Sequence, residues 1–326
     1  MTKIKHTLDR RTFLAGLAAT ATAGTSSQVF AQSFPSKPVE LVVLFPSGSS
    51  ADVTARVLAD SLGKHLGQPV IVVNKPGAGG AIGYKYVQQQ KPDGHTLVLN
   101  SNSISTVHHS GLTPFDYRAF DAIARVTVEN PVIAVKADAP WKDLKSLVTD
   151  ARKRPGAVSM GNSGIGSHTH ITSVAFFQDQ QVEVLHVPFG SAQAVTSLLG
   201  GHVDALVQLP GALTPQVRSG SLRILGVLSS AREPTYPTVA TATEQGLPFS
   251  ADMWRGIAAP KGTPSAVVAR LEEALQKAVA SPEFKSQGEK LGFLPSFLSA
   301  RDFAPLIAKE DLVLARLMHR VGLKLQ

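Results

Sequence analysis

Two short stretches of this chain combine small and hydroxyl-bearing residues in a spacing that suits anion binding. The first is Pro46-Ser47-Gly48-Ser49-Ser50-Ala51-Asp52; the second is Ser163-Gly164-Ile165-Gly166-Ser167-His168. Each follows an apolar run of strand length, residues 39–45 ending in Phe45 and residues 157–160, and each opens a helical pattern. A strand that turns tightly into a helix leaves the first helical N–H groups without intrahelical partners, and the helix dipole adds partial positive charge there. Such an end can hold a carboxylate. Ser49, Ser50 and Ala51 add little bulk, so a ligand can approach the backbone. Asp52 falls in the first helical turn, where a carboxylate is favourable whatever the function. Ser167 is placed as an N-cap whose hydroxyl satisfies the helix or meets the ligand. The plain alternative is a pair of ordinary strand-to-helix turns with serine caps.

Other residues qualify less well. Ser163 stands one residue short of the G-x-S-x-G spacing of a nucleophile elbow, so the chain is not expected to be an enzyme. Residues 74–83, the most glycine-dense segment, match neither G-x-G-x-x-G nor G-x-x-x-x-G-K-[ST]. They read as a flexible turn or as a backbone nest at a cleft rim. His168 and His170 are two apart and fall on different helix faces, His108 and His109 are adjacent, and no H-E-x-x-H accompanies them. No metal and no cofactor are therefore expected. One imidazole could meet a ligand carboxylate, since a nearby anion favours its charged form; packing inside its own domain is the bland role for His170. Gln208 ends one strand-like run, and Ser101, Asn102 and Ser103 follow another, positions from which side chains reach a ligand at the carboxyl ends of strands.

These loops need rigid elements on either side. The 326 residues suit two domains, and 43% hydrophobic composition supplies their cores. Strand-length apolar runs fall at 70–74, 96–100, 131–136, 182–187, 203–207, 222–228 and 256–259. Helical patterns fall at 79–90, 141–153, 168–178, 192–199, 265–280 and 298–319. This alternation predicts an α/β chain of parallel sheets with right-handed crossovers. The strand, small-residue loop and helix plan recurs at 41–65, 157–178 and 182–199, which suggests two sheets aiming helix starts at a shared cleft. The net charge is +8; four basic residues and one acidic residue lie in the first 32, so the remainder carries +5. That attracts small anions, but no basic run with interleaved aromatics points to nucleic acid. The absence of cysteine excludes disulfides, Cys-ligated zinc and thiol catalysis. At the N-terminus Asp9-Arg10-Arg11-Thr12-Phe13-Leu14 precedes an apolar stretch and Val29-Phe30-Ala31. This reads as an export signal over 1–31, twin-arginine-like with a Sec signal as the alternative, cleaved near Ala31. No later stretch approaches the roughly 20 apolar residues of a transmembrane helix.

Taken in order, these segments resemble the Bug family of periplasmic solute receptors, the extracytoplasmic components of tripartite tricarboxylate transporters. The likeness is carried by FPSKPVELVVLF, the Ser47–Asp52 loop with Arg56 four residues on, NKPGAGGAIG and Pro92-Asp93-Gly94-His95-Thr96. It continues through Gly164-x-Gly166-Ser167-x-x-His170, Leu199-Gly200-Gly201-x-Val203-Asp204 and Ala259-Pro260-x-Gly262-Thr263-Pro264. The resemblance implies a two-lobed, type II periplasmic-binding-protein fold, each lobe a mixed, mostly parallel sheet flanked by helices, with the ligand cleft between lobes. It implies a first lobe from residues 32–129 and 253–326 and a second from 130–252. Expected contacts for a small di- or tricarboxylate or aromatic carboxylate are Phe45, Pro46, Ser49, Ser50, Ala51, Asp52, Ser101, Asn102, Ser103, Gly166, Ser167, His168 and Gln208. Gln208 stands where acidic residues are frequent in the family, which argues against an amine-bearing ligand. The implied protein is a periplasmic monomer that delivers its ligand to inner-membrane permease subunits. A sensing module for a membrane histidine kinase and an exported α/β hydrolase are the rival readings.

Overall fold

In the computed structural model, which describes residues 34–320, the apolar run Val39–Val43 forms strand β1, covered on both faces. Because side chains alternate across a strand, its residues feed two cores. Val39, Leu41 and Val43 pack with Leu58 and Leu62 of helix α1 (Ser50–Leu66), whereas Val42 and Leu44 face Tyr84 and Val87 of helix α2 (Ala81–Gln88). Each fully buried leucine contributes about 2 kcal/mol of hydrophobic stabilisation.

The chain continues through β2 (Val70–Asn74), β3 (Thr96–Ser101), α3 (Ser103–His109), β4 (Phe120–Glu129), β5 (Val132–Lys136), α4 (Leu144–Lys153), β6 (Ser159–Asn162) and α5 (His168–Asp179). Then come β7 (Leu185–Pro188), α6 (Ser191–Leu199), β8 (Ala205–Gln208), α7 (Pro210–Arg218), β9 (Leu222–Val227) and β10 (Met253–Pro260). The described residues close with α8 (Ser265–Ala280), α9 (Pro282–Leu291), β11 (Leu294–Ser299) and α10 (Ala300–Arg320). One sheet has the order β11-β4-β10-β3-β1-β2, the other β7-β6-β8-β5-β9. Helices cover both, giving a two-lobed α/β fold. In the second sheet Ile133, Val135 and Val207 pack toward Trp141, Leu147 and Phe176, while Ala134 and Leu206 face Leu198 and Leu213.

Both sheets are mixed. β1 is parallel to β2 and β3, and β6 to β7 and β8. β10 runs antiparallel to β3 and β4, β11 to β4, and β5 to β8 and β9. The parallel share is smaller than the strand–helix rhythm suggested, for a topological reason. The chain passes from β4 of one sheet into β5 of the other with only Asn130 and Pro131 between, and no helix reverses it. It returns along residues 228–252 to β10, which inserts between β3 and β4. The export segment expected at 1–31 lies outside the described residues. Among the described residues no helix is long and apolar enough to cross a membrane.

Candidate functional site

The two turns singled out in the sequence are built alike. After β1 the chain passes Phe45 and Pro46, and Gly48 takes a positive φ of 80° that lets it fold back into α1. Ser49 is the N-cap: its hydroxyl accepts from the Asp52 N–H at 3.3 Å. After β6, Gly164 and Gly166 take positive φ, and Ser167 caps α5 by accepting from the His170 N–H at 3.2 Å. In each helix the cap uses the third amide, leaving the first two, Ser50 and Ala51 in α1 and His168 and Thr169 in α5, without intrahelical partners. Both ends border one cavity of about 20 Å³, room for one or two waters. Ser49, Ser50 and Ala51 line it from one lobe and Ser167, His168 and Thr169 from the other. Phe45, Leu209 and Met253 supply apolar wall. A wider mouth, bordered by Pro46, Gly79, Ile165 and Phe189, lies beside it.

The electrostatics of this cavity are set by buried pairs. Arg255 on β10 is 1% exposed and lines the cavity. Its Nε donates to Glu129 at the end of β4, itself fully buried, and its Nη2 reaches the same carboxylate at 3.3 Å. The Ser50 hydroxyl donates to the other oxygen of Glu129. The pair therefore ties the first turn of α1 to the strands that join the lobes. Ion pairs of this kind persist in a dry site because each charge would otherwise be desolvated without return. Burial pushes the His168 imidazole down to about 4, against a hydrogen bond to the Asp252 carbonyl and helped by the Arg255 charge, so it is neutral at pH 7. His170, also about 4 through burial and then through His186, accepts the Gly166 N–H on Nδ1 at 3.2 Å.

Of the residues expected at the site, the structure brings Phe45, Ser49, Ser50, Ala51, Ser103, Ser167, His168 and Gln208 to this cavity. The remaining five do not line it. Pro46 borders the mouth instead. Asp52 is turned into its own loop: its carboxylate accepts from the Gly48 N–H at 3.0 Å, from Arg56 Nη2 at 2.8 Å and from Asn74 at 3.0 Å. Burial raises its pKa, but those bonds outweigh burial and the net shift is downward. The Ser101 hydroxyl accepts from the Ser103 N–H at 3.2 Å, which shapes the loop rather than the cavity. Asn102 accepts from the Trp254 N–H at 3.0 Å and donates to Glu310 of α10 at 2.7 Å, so it ties three elements together. Gly166 contributes its amide to His170 as described. Ser163 also lines the cavity, but its hydroxyl partners Gln208 and no imidazole, so the group next to it is no base. Arg255, Met253 and Thr169 escaped the sequence reading. The signal for Arg255 was a single cation inside the otherwise apolar run Met253–Pro260, whose eight residues are all buried.

A family model described as tripartite tricarboxylate transporter family receptor matches residues 54–323. Protein BugT of Bordetella pertussis is 37% identical over 278 residues, 82% of this chain and 85% of BugT. The solved periplasmic binding protein BugD is 32% identical with a TM-score of 0.84, covering 89% of this chain and 99% of BugD. An R. palustris protein solved with adipate is 26% identical with a TM-score of 0.85, covering 89% and 98% of the two chains.

Proposed function

We propose, from the premise that this chain belongs to the tripartite tricarboxylate transporter receptor family, that it closes two lobes on a small organic acid and passes it to a membrane permease. The family is one of periplasmic solute receptors, not of enzymes. One observation carries the carboxylate reading: two capped helix starts, one from each lobe, border the same cavity with their free amides. Donors of this kind stabilise an anion without a formal cation, and exclusion of water strengthens them. The adipate carried by the R. palustris relative fits that chemistry.

The lobes divide at residues 129–130 and 252–253, and the two crossovers form the hinge. Ligand shifts the open–closed balance as far as it prefers the closed form. The protein acts as a monomer, exported by the signal in residues 1–31, and the closed form is the one recognised by the permease. The test is a melting-temperature and tryptophan-fluorescence titration of the mature protein against mono-, di- and tricarboxylates and aromatic acids. At least one acid should raise the melting temperature. Silence toward every acid together with a response to sugars or cations would overturn the reading.

A further inference from the structure

We infer that Glu310, on helix α10 and outside the cavity lining, is a positioning residue for the ligand cavity: it holds Asn102 and Trp254, and through them Ser103 and Met253 on the cavity wall. This rests on the receptor reading above and names a residue on which ligand affinity depends. The pairing of β3 with β10 ends at Ser101 and Arg255. One residue further on, a side chain takes over from the ladder: Asn102 Oδ1 accepts the Trp254 N–H at 3.0 Å. The neighbours of these two residues, Ser103 and Met253, line the cavity. The Ser103 hydroxyl is fully buried there with no hydrogen-bond partner among the described residues, so its aim matters to a polar group that enters.

The two ends of an amide side chain have similar shapes, and its partners decide which way it points. Asn102 Nδ2 donates to Glu310 at 2.7 Å. A carboxylate only accepts, so the nitrogen is kept at Glu310 and the oxygen at Trp254. The same Glu310 oxygen accepts from the Trp254 indole Nε1. Phe303, also on α10, packs edge-on to that indole with ring centroids 4.9 Å apart. Asn102 and Trp254 are both buried. Without the Glu310 acceptor their two donors are left without a partner, a costly state that the side chains relieve by turning. Asn102 would then present Nδ2 to the Trp254 N–H, and the last contact before Ser103 and Met253 would open.

Calorimetric titration of the wild type, Glu310→Ala and Glu310→Gln with adipate, malate, citrate and benzoate tests this. Glu310→Ala should bind about tenfold more weakly each acid that the wild type binds. Glu310→Gln, whose side-chain oxygen can accept both bonds, should recover most of that loss. Ser281→Ala, which removes the cap of α9, should lower the melting temperature and leave affinity unchanged. Asn102→Ala breaks the same path at its other end and should also weaken binding; adding Glu310→Ala to it should cost less than the sum of the two single losses. Unmoved affinity in Glu310→Ala or Asn102→Ala, an equal loss in Ser281→Ala, no rescue by glutamine or strictly additive losses would overturn the inference and leave the receptor reading standing. Failure of every acid to bind the wild type would overturn both.

Discussion

His168 and His170 sit under the second helix start with almost no access to water, 4% and 6% exposed, and this makes the site sensitive to acid. Their pKa values in the folded chain are about 4, against 6.5 for an unperturbed imidazole. Between those values the unfolded chain binds more protons than the folded one. Stability from these two groups is therefore complete above pH 6.5 and is lost as pH falls toward 4. Between pH 7 and pH 5 each histidine should cost about 2 kcal/mol. Urea unfolding at the two pH values measures this, and His168→Gln should remove roughly half of the paired loss; an unchanged difference would mean that His168 is not buried neutral. At this scale the sequence was partly legible. Serines beside glycines before a helix announce amides that need an anion or a cap. The Asp52 carboxylate looked equally available, yet Arg56, one turn along the same helix face, claims it. Arg255 was hidden because its strand was read as beginning at Gly256, one residue after the side chain that matters.

The elements that position these residues were legible where their periodicity is strong. Strand Val70–Asn74 and helix Ser265–Ala280 fall at the residues their patterns imply. Strand Phe120–Glu129 was missed because Asp121 and Arg125 interrupt its apolar pattern, although both of its edges are paired, with β10 and β11. Helix Ser103–His109 carries no local pattern that marks it in the sequence, and its burial comes from tertiary packing. Helix Pro210–Arg218 carries Pro215 inside it, a residue that argues against a helix in isolation. The glycine-dense rim of residues 77–80 had two readings, turn or nest, and its geometry now gives it a further role. Gly79 has φ of 66°, and a Cβ there would stand 2.8 Å from the Ile165 carbonyl oxygen of the other lobe. Gly67, which ends α1 with φ of 74°, has open space around its missing side chain. Alanine at either position costs about 1–2 kcal/mol of backbone strain. Gly79→Ala alone should also hold the lobes apart, lowering ligand affinity about tenfold or more, whereas Gly67→Ala should leave affinity unchanged. Equal affinities for the two variants, measured by titration calorimetry, would remove Gly79 from the closure contact.

At the scale of the molecule, the repeated strand, loop and helix plan was enough to infer two lobes, but not which strand lies beside which. That order depends on β10 returning between β3 and β4 after an excursion through the second sheet, a contact between residues more than a hundred positions apart. In the arrangement described here the lobes meet over an inner cavity of about 20 Å³ beside a wider mouth of about 540 Å³. On the hinge account a ligand enters a more open form, and the closing surfaces separate and meet again. One such meeting is between α1 and α7, where a Cβ on Gly211 would stand 3.3 Å from the Ser50 Cβ. That is close to the Cβ separation of a disulfide, about 3.8 Å. Since the chain has no cysteine, Ser50→Cys with Gly211→Cys would introduce the only thiol pair, across the two lobes. Oxidation of this variant should proceed readily, and faster when a binding acid is present, because the acid favours the closed form. Acid added before oxidation should stay trapped through dialysis, while acid added afterwards should fail to bind, and reductant should reverse both effects. Ser50→Cys alone accounts for any direct loss at the cavity wall. Free exchange of ligand through the oxidised, cross-linked protein would show that solute reaches the cavity without parting α1 from α7, and the hinge account of entry would be lost.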